Sequence, residues 1–201
     1  MHEGLIVAVA GMPGSGKSTV AAMIAEILGA RVLVMGDYVR REVARRGLPV
    51  EAHSIESVAT ELRERMGKGA IARLMLDDVR RELREKGMVI VDGVRSPEEL
   101  DVFSQVAPLC LVAVHSPPLV RFKRMQERGR RGESSWEVFM LRDKVNLGFG
   151  LGEVIALADY MVVNAGGLDE LWRQVVRVVE EISVGRGKSC SRGRGQAHGG
   201  L

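Results

Sequence analysis

The chain has 201 residues, 46% hydrophobic, 27% charged and only 4% aromatic, which suits one α/β domain with a mainly aliphatic core. The formal net charge of +3 comes from the C-terminal end: residues 185–201 hold Arg186, Lys188, Arg192 and Arg194 and no acid, leaving 25 basic against 26 acidic residues, a net of −1, in 1–184. That balance argues against a nucleic-acid-binding folded part, and no apolar run is long enough to cross a membrane.

The N-terminus lacks the basic-then-apolar pattern of a signal peptide, so a cytoplasmic location is expected. The two cysteines fit that expectation. Cys110 lies in an apolar run and reads as a small buried hydrophobe, Cys190 lies in a polar tail, and neither a disulfide framework nor a metal site is expected.

Leu5–Ala10 is an unbroken apolar run that reads as a buried strand. It leads into Gly11-Met12-Pro13-Gly14-Ser15-Gly16-Lys17-Ser18-Thr19, which matches the phosphate-binding loop G-x-x-x-x-G-K-[ST]. Val20, Ala21, Ile24, Ala25, Ile27 and Leu28 then recur at helical spacing until Gly29. A strand, a glycine-rich turn and a helix N-terminus form an anion cradle of inward N–H groups and helix dipole. All nine loop residues are therefore candidate nucleotide contacts. Lys17 would reach the β- and γ-phosphates and Ser18 would be a ligand for Mg²⁺.

A second strand, Arg31–Met35, ends in Gly36-Asp37-Tyr38-Val39-Arg40. Asp37 is expected at the strand's carboxyl edge, where open α/β sheets bind ligands, to orient or deprotonate an acceptor hydroxyl, with Arg40 clamping a phosphate. An ordinary N-cap aspartate and a solvated arginine would give the same pattern. Residues 37–86 read as two or three helices of an acceptor-binding insertion. The third strand, Met88–Val91, is followed by Asp92-Gly93-Val94-Arg95, in which Asp92 fits the carboxylate that holds Mg²⁺ through water and Arg95 could meet an acceptor phosphate. Ser96-Pro97-Glu98-Glu99 carries helix-start signals.

The fourth strand is Leu109–Val114, and His115 at its end reads as structural. Ser116-Pro117 opens the next helix. Arg121, Lys123 and Arg124 read as a solvated helix face. Arg128, Arg130 and Arg131, flanked by Gly129 and Gly132, and Arg142 beyond them, are candidates to neutralise a transferring phosphoryl group from a lid at 128–150. Ser134 and Glu137 form a capping box. The fifth strand, Tyr160–Val163, leads into Asn164-Ala165-Gly166-Gly167 and a helix over Leu168–Ser183. From Gly185 the composition becomes Gly, Arg, Ser and Lys without apolar periodicity, a disordered tail by composition.

Five apolar runs separated by helical patterns predict a parallel sheet covered on both faces. At the residues quoted, the chain resembles P-loop kinases of small molecules. Gly36-Asp37-Tyr38-Val39-Arg40 is similar to the G-D-x-x-R of adenylate kinases, whose arginine binds the acceptor's phosphate, and Asp92-Gly93-Val94-Arg95 to their D-G-x-x-R, one residue shorter. Ala158–Leu171 resembles dephospho-coenzyme A kinase, which implies Asn164 beside the ATP adenine and Asp37 as base. The whole pattern over residues 4–184, including Val-Met-Gly-Asp and Val-Ile-Ala-Leu-Ala-Asp-Tyr, is most similar to an archaeal family of P-loop proteins of unassigned function related to dephospho-coenzyme A kinase.

The resemblance implies a three-layer α/β/α P-loop NTPase fold with strand order 2-3-1-4-5. The kinase-like domain would span 1–184, with the tail at 185–201. It also implies an ATP- and Mg²⁺-dependent phosphotransferase acting on a nucleoside monophosphate or dephospho-coenzyme A-like acceptor. The loop alone equally suits a nucleotide-binding regulator or slow NTPase with a protein partner. The Arg-Gly pairs of the tail suit weak RNA contact.

Overall fold

A computed structural model describes residues 4–127, 135–185 and 190. In chain order these form β1 (Leu5–Ala10), α1 (Lys17–Leu28), β2 (Arg31–Val34), α2 (Met35–Arg45), α3 (Ala52–Met66), α4 (Ala70–Lys86) and β3 (Met88–Val94). The second half adds α5 (Pro97–Ser104), β4 (Leu109–His115), α6 (Pro118–Glu127), α7 (Trp136–Gly148), α8 (Leu151–Ala156), β5 (Tyr160–Val163) and α9 (Leu168–Gly185). The strands form one parallel sheet in the order β2-β3-β1-β4-β5, as the kinase resemblance implies. The central strand β1 is buried along its whole length, which explains why it reads as an unbroken apolar run.

Alternate residues of the sheet feed two cores. Val7, Val9, Ile90, Cys110, Val112 and Val162 pack with Val20, Ile24, Leu171 and Val175 of α1 and α9. Ile6, Ala8, Val91, Leu109 and Leu111 face the other way, against Val39, Val58, Ile71, Met75, Leu100, Phe103 and Val154 of α2–α5 and α8. Ser96 caps α5, accepting from the Glu99 N–H at 3.2 Å, with Pro97 first in the helix.

Four local readings change. β2 stops at Val34 and α2 starts at Met35, so Asp37 lies in the first turn of a helix instead of at a strand end. β3 runs on to Val94: Asp92 pairs with Val9 and Val34 inside the sheet, and Gly93 (φ 104°) is the extra residue of a bulge before Val94 meets Ala10. The cap of α7 is Ser135, which accepts from the Val138 N–H at 3.3 Å, while Ser134 lies outside the described residues. Finally, Cys110 and Cys190 are disulfide-bonded with Cα atoms 4.9 Å apart, where no disulfide was expected. Their separation of 80 residues in sequence hides that α9 returns the chain to the foot of β4. Arg128, Arg130 and Arg131, and the tail residues 186–189 and 191–201, lie outside the described residues.

Candidate active site

The loop between β1 and α1 leans on its neighbours so tightly that side chains are excluded at two turns. Gly14 has φ 81°, and a Cβ there would sit 2.8 Å from the Arg121 carbonyl oxygen. Gly16, with φ 90°, would meet the Asn164 amide nitrogen at 2.2 Å. Both need glycine for backbone conformation and for space. Ser15 is fully buried and its Oγ has no hydrogen-bond partner among the described residues, although its N–H donates to the Met12 carbonyl at 3.0 Å. The first turn of α1 carries no acidic side chain, so its dipole faces the loop unopposed.

Gly11, Pro13, Gly14, Lys17 and Ser18 line a cleft of about 700 Å³ at the carboxyl ends of the strands. Asp92 lines the same cleft. Its side chain is 1% exposed, and its Oδ1 has no hydrogen-bond partner among the described residues. A buried carboxylate oxygen without a partner is costly unless a cation answers it. Together with the Ser18 hydroxyl it offers the hard oxygen donors that Mg²⁺ takes, and Mg²⁺ needs only one or two protein ligands beside phosphate and water. The described residues contain no cluster of three or more His, Cys, Asp or Glu side chains that could hold a metal ion.

The facing part of the cleft is lined by Arg40, Arg63, Arg95 and Arg142 with Glu51 and Glu56. Glu99 of α5 is fully buried and organises two of the arginines: it accepts from Arg63 Nη2 at 2.8 Å and from the Arg95 backbone N–H at 2.7 Å. Arg63 also stacks its guanidinium 4.5 Å from the Phe149 ring centre, and its Nε has no hydrogen-bond partner among the described residues. Arg142 pairs with Glu56 at 3.4 Å. The Arg95 guanidinium has no hydrogen-bond or ion-pair partner among the described residues. Burial pushes its pKa down, and the positive charges of Arg63 and Arg142 push the same way against Glu99 and Glu56.

The predicted residues thus divide. Lys17, Ser18, Arg40, Asp92, Arg95 and Arg142 meet in one cleft. Asp37 is not among the lining residues; half exposed, it accepts from Arg40 Nε and Nη2 at 3.1 and 2.5 Å and so steadies that arginine at the rim. Asn164 is buried behind the loop, outside the cleft lining: its Nδ2 donates to the Ser15 carbonyl at 2.8 Å and its Oδ1 accepts from Arg124 Nη2 at 3.1 Å. One end of its side chain therefore braces the loop and the other ties it to α6.

Two residues read as a solvated helix face are nothing of the kind. Arg121 is 4% exposed, donating to the carbonyls of Pro13 (3.0 Å) and Ser116 (3.1 Å) and bidentately to Asp143 (2.9 and 2.6 Å). Arg124 donates to Ser116 Oγ at 3.1 Å and to the Asn164 carbonyl at 3.2 Å. Met125, one turn beyond Arg121 and also buried, is the sequence signal that this side of α6 faces inward. Arg63 was missed too, since nothing local marks one arginine of an arginine-rich helix as buried.

The AAA domain family (AAA_17) matches residues 10–138. A UPF0200 protein of Pyrococcus horikoshii is 41% identical over 182 residues, covering 89% of this chain and 97% of that one. A UPF0200 protein of Aeropyrum pernix is 45% identical over 168 residues, covering 83% and 88%. Among solved structures, a putative kinase from Chloroflexus aurantiacus superposes with TM-score 0.61 at 16% identity, covering 92% of this chain and 99% of that one. Shikimate kinase from Acinetobacter baumannii, in complex with shikimate, superposes with TM-score 0.57 at 16% identity, covering 92% and 95%. At such identities these structures speak for a P-loop kinase fold.

Proposed function

Since the chain belongs to the UPF0200 family and carries its phosphate loop in an AAA domain, we propose that it is an ATP- and Mg²⁺-dependent phosphotransferase for a small anionic, nucleotide-like acceptor. The observation that carries this reading is the shared cleft. Lys17, Ser18 and the buried Asp92, whose Oδ1 has no hydrogen-bond partner among the described residues, line it together with the Arg95 guanidinium, which makes no hydrogen bond or ion pair among those residues and feels Glu99 and Glu56 only through space. An ATPase without an acceptor has no need of the second feature.

In this reading the loop N–H groups and Lys17 hold the triphosphate, and Ser18 and Asp92 hold Mg²⁺. When bound, the metal would supply charge neutralisation to the phosphates during transfer. Arg95, with Arg63 and Arg142 around it, binds an anionic group of the acceptor, such as the phosphate of a nucleoside monophosphate or of dephospho-coenzyme A. Arg40, steadied by Asp37, closes the rim. Arg142 and the arginines at 128 and 131 meet the charge on the transferring group. Phosphoryl transfer through a loose transition state is mostly positioning and electrostatics, so it does not require Asp37 to reach the acceptor hydroxyl.

The test is transfer from labelled ATP to nucleoside monophosphates and dephospho-coenzyme A by the full chain and by Lys17→Ala. Loss of one preorganised cationic contact should slow transfer by about a hundredfold or more. A protein that binds ATP yet phosphorylates none of these acceptors would overturn the assignment.

A further inference from the structure

The geometry points to Arg121 as a positioning residue, through which nucleotide in the phosphate loop sets the orientation of α7 and of the Arg142 side chain that α7 carries into the cleft. This rests on the reading of the loop as the donor site. Arg121 touches the loop twice. Its Nη1 donates to the Pro13 carbonyl at 3.0 Å, and its backbone lies so close to Gly14 that a Cβ there would sit 2.8 Å from the Arg121 oxygen.

The same guanidinium grips α7 through the bidentate pair with Asp143, itself 6% exposed, and lies 4.8 Å from the Phe139 ring centre. Asp143 is the chain neighbour of Arg142, and Asn146 donates to the Arg142 carbonyl at 2.8 Å. Arg142 and Asn146 both line the cleft. One planar cation therefore links the loop that would hold the donor to the helix that would hold the acceptor.

Its chemistry suits transmission better than cushioning. A planar guanidinium bound at both Nη atoms and at Nε cannot follow one partner without tilting toward or away from the others. Arg121 and Asp143 are both buried, so water does not readily take over a lengthened bond on the α7 side of the junction. A lysine would hold the charge but not the orientation.

Trp136, in the first turn of α7, reports on this junction, because its ring centre lies 5.1 Å from Phe139 and 5.1 Å from Phe122. The chain has one other tryptophan, Trp172 on α9, so Trp172→Phe leaves Trp136 as the sole indole emitter. The experiment titrates that full-length protein with Mg²⁺ and a non-hydrolysable ATP analogue, following heat and Trp136 emission together. The expected result is one midpoint for both signals.

In Arg121→Lys and in Asp143→Asn the heat should persist, while the nucleotide-induced change in Trp136 emission is lost. Circular dichroism checks that each variant is folded. Hydrogen exchange over residues 136–148 of the unsubstituted protein, with and without the analogue, needs no variant and should show protection on binding. A full emission response in both variants, or nucleotide heat with unchanged Trp136 emission and unchanged exchange, would overturn the coupling alone. Absence of heat in the Trp172→Phe protein would overturn the donor-site reading and the coupling with it.

Discussion

Arg95→Met should make the protein more stable while depriving it of acceptor-side anion binding. The guanidinium is largely withdrawn from water, beside Arg63 and Arg142, and its pKa is pushed down chiefly by burial and then by those charges. A base whose folded pKa lies below its unfolded value destabilises the fold by staying charged. That penalty is fully present at every pH below the folded pKa, hence across the whole working range. Methionine keeps an unbranched apolar stem and removes the charge. The expected gain is about 1 kcal/mol, typical of relieving a functional-site conflict, or about 2–4 °C in Tm for a domain of this size.

The functional loss has the opposite sign. Hydrogen bonds to charged groups contribute about 1.5–3 kcal/mol, so inorganic phosphate should bind roughly tenfold to a hundredfold more weakly. Thermal unfolding in phosphate-free buffer measures the first effect. Calorimetric titration of inorganic phosphate into protein saturated with Mg²⁺ and a non-hydrolysable ATP analogue measures the second. A fall in Tm, or phosphate affinity equal to that of the unsubstituted protein, would refute the view of Arg95 as an anion receptor held charged against its burial.

Asn164→Ala removes the donor to the Ser15 carbonyl and the acceptor of Arg124. ATP affinity should drop by about tenfold, the effect of roughly one buried hydrogen bond lost behind the loop, as read by calorimetry. On the acid side, Glu42 is held at about 2 instead of 4.5 by hydrogen bonds from Arg45 and then Arg46. Its folded pKa is depressed, so its contribution is present above pH 4.5 and is lost as pH falls toward 2. Glu42→Gln should flatten the dependence of Tm on pH in that window and leave it unchanged near neutrality. Reduction of Cys110–Cys190, which closes a span of 80 residues, should lower stability by up to about 4 kcal/mol on the chain-entropy account. Thermal melts with and without dithiothreitol test this, and Cys190→Ser should melt identically in both.

Much of this molecule is legible locally. The loop motif, the apolar β1 and the helical spacing after Lys17 each depend on residues within a few positions, and β5 and the cap of α5 were readable for the same reason. The strand order followed from resemblance to a family in which it recurs. Asp92 and Arg95 could be named from a strand-end pattern, but the bulge at Gly93 that orders them could not. Asp37 was misjudged because its position depended on whether β2 ended at Val34 or Met35. That one-residue boundary moves a carboxylate from a strand edge to an exposed helix turn.

The chain by itself determined that a triphosphate-type anion cradle opens a parallel α/β domain, since loop, dipole and alternating apolar runs are short-range properties. Only the tertiary structure decided which of many arginines matter. Arg121 became a brace of the loop, Arg124 a support for Asn164 behind it, Arg63 a buried partner of Glu99, and Arg95 a cleft cation with no hydrogen bond from its guanidinium among the described residues. The physical reason is that a guanidinium's role is set by its hydrogen-bond partners and its exposure, and here those partners, Asp143, Glu99 and Asn164, lie 22, 36 and 40 residues away along the chain.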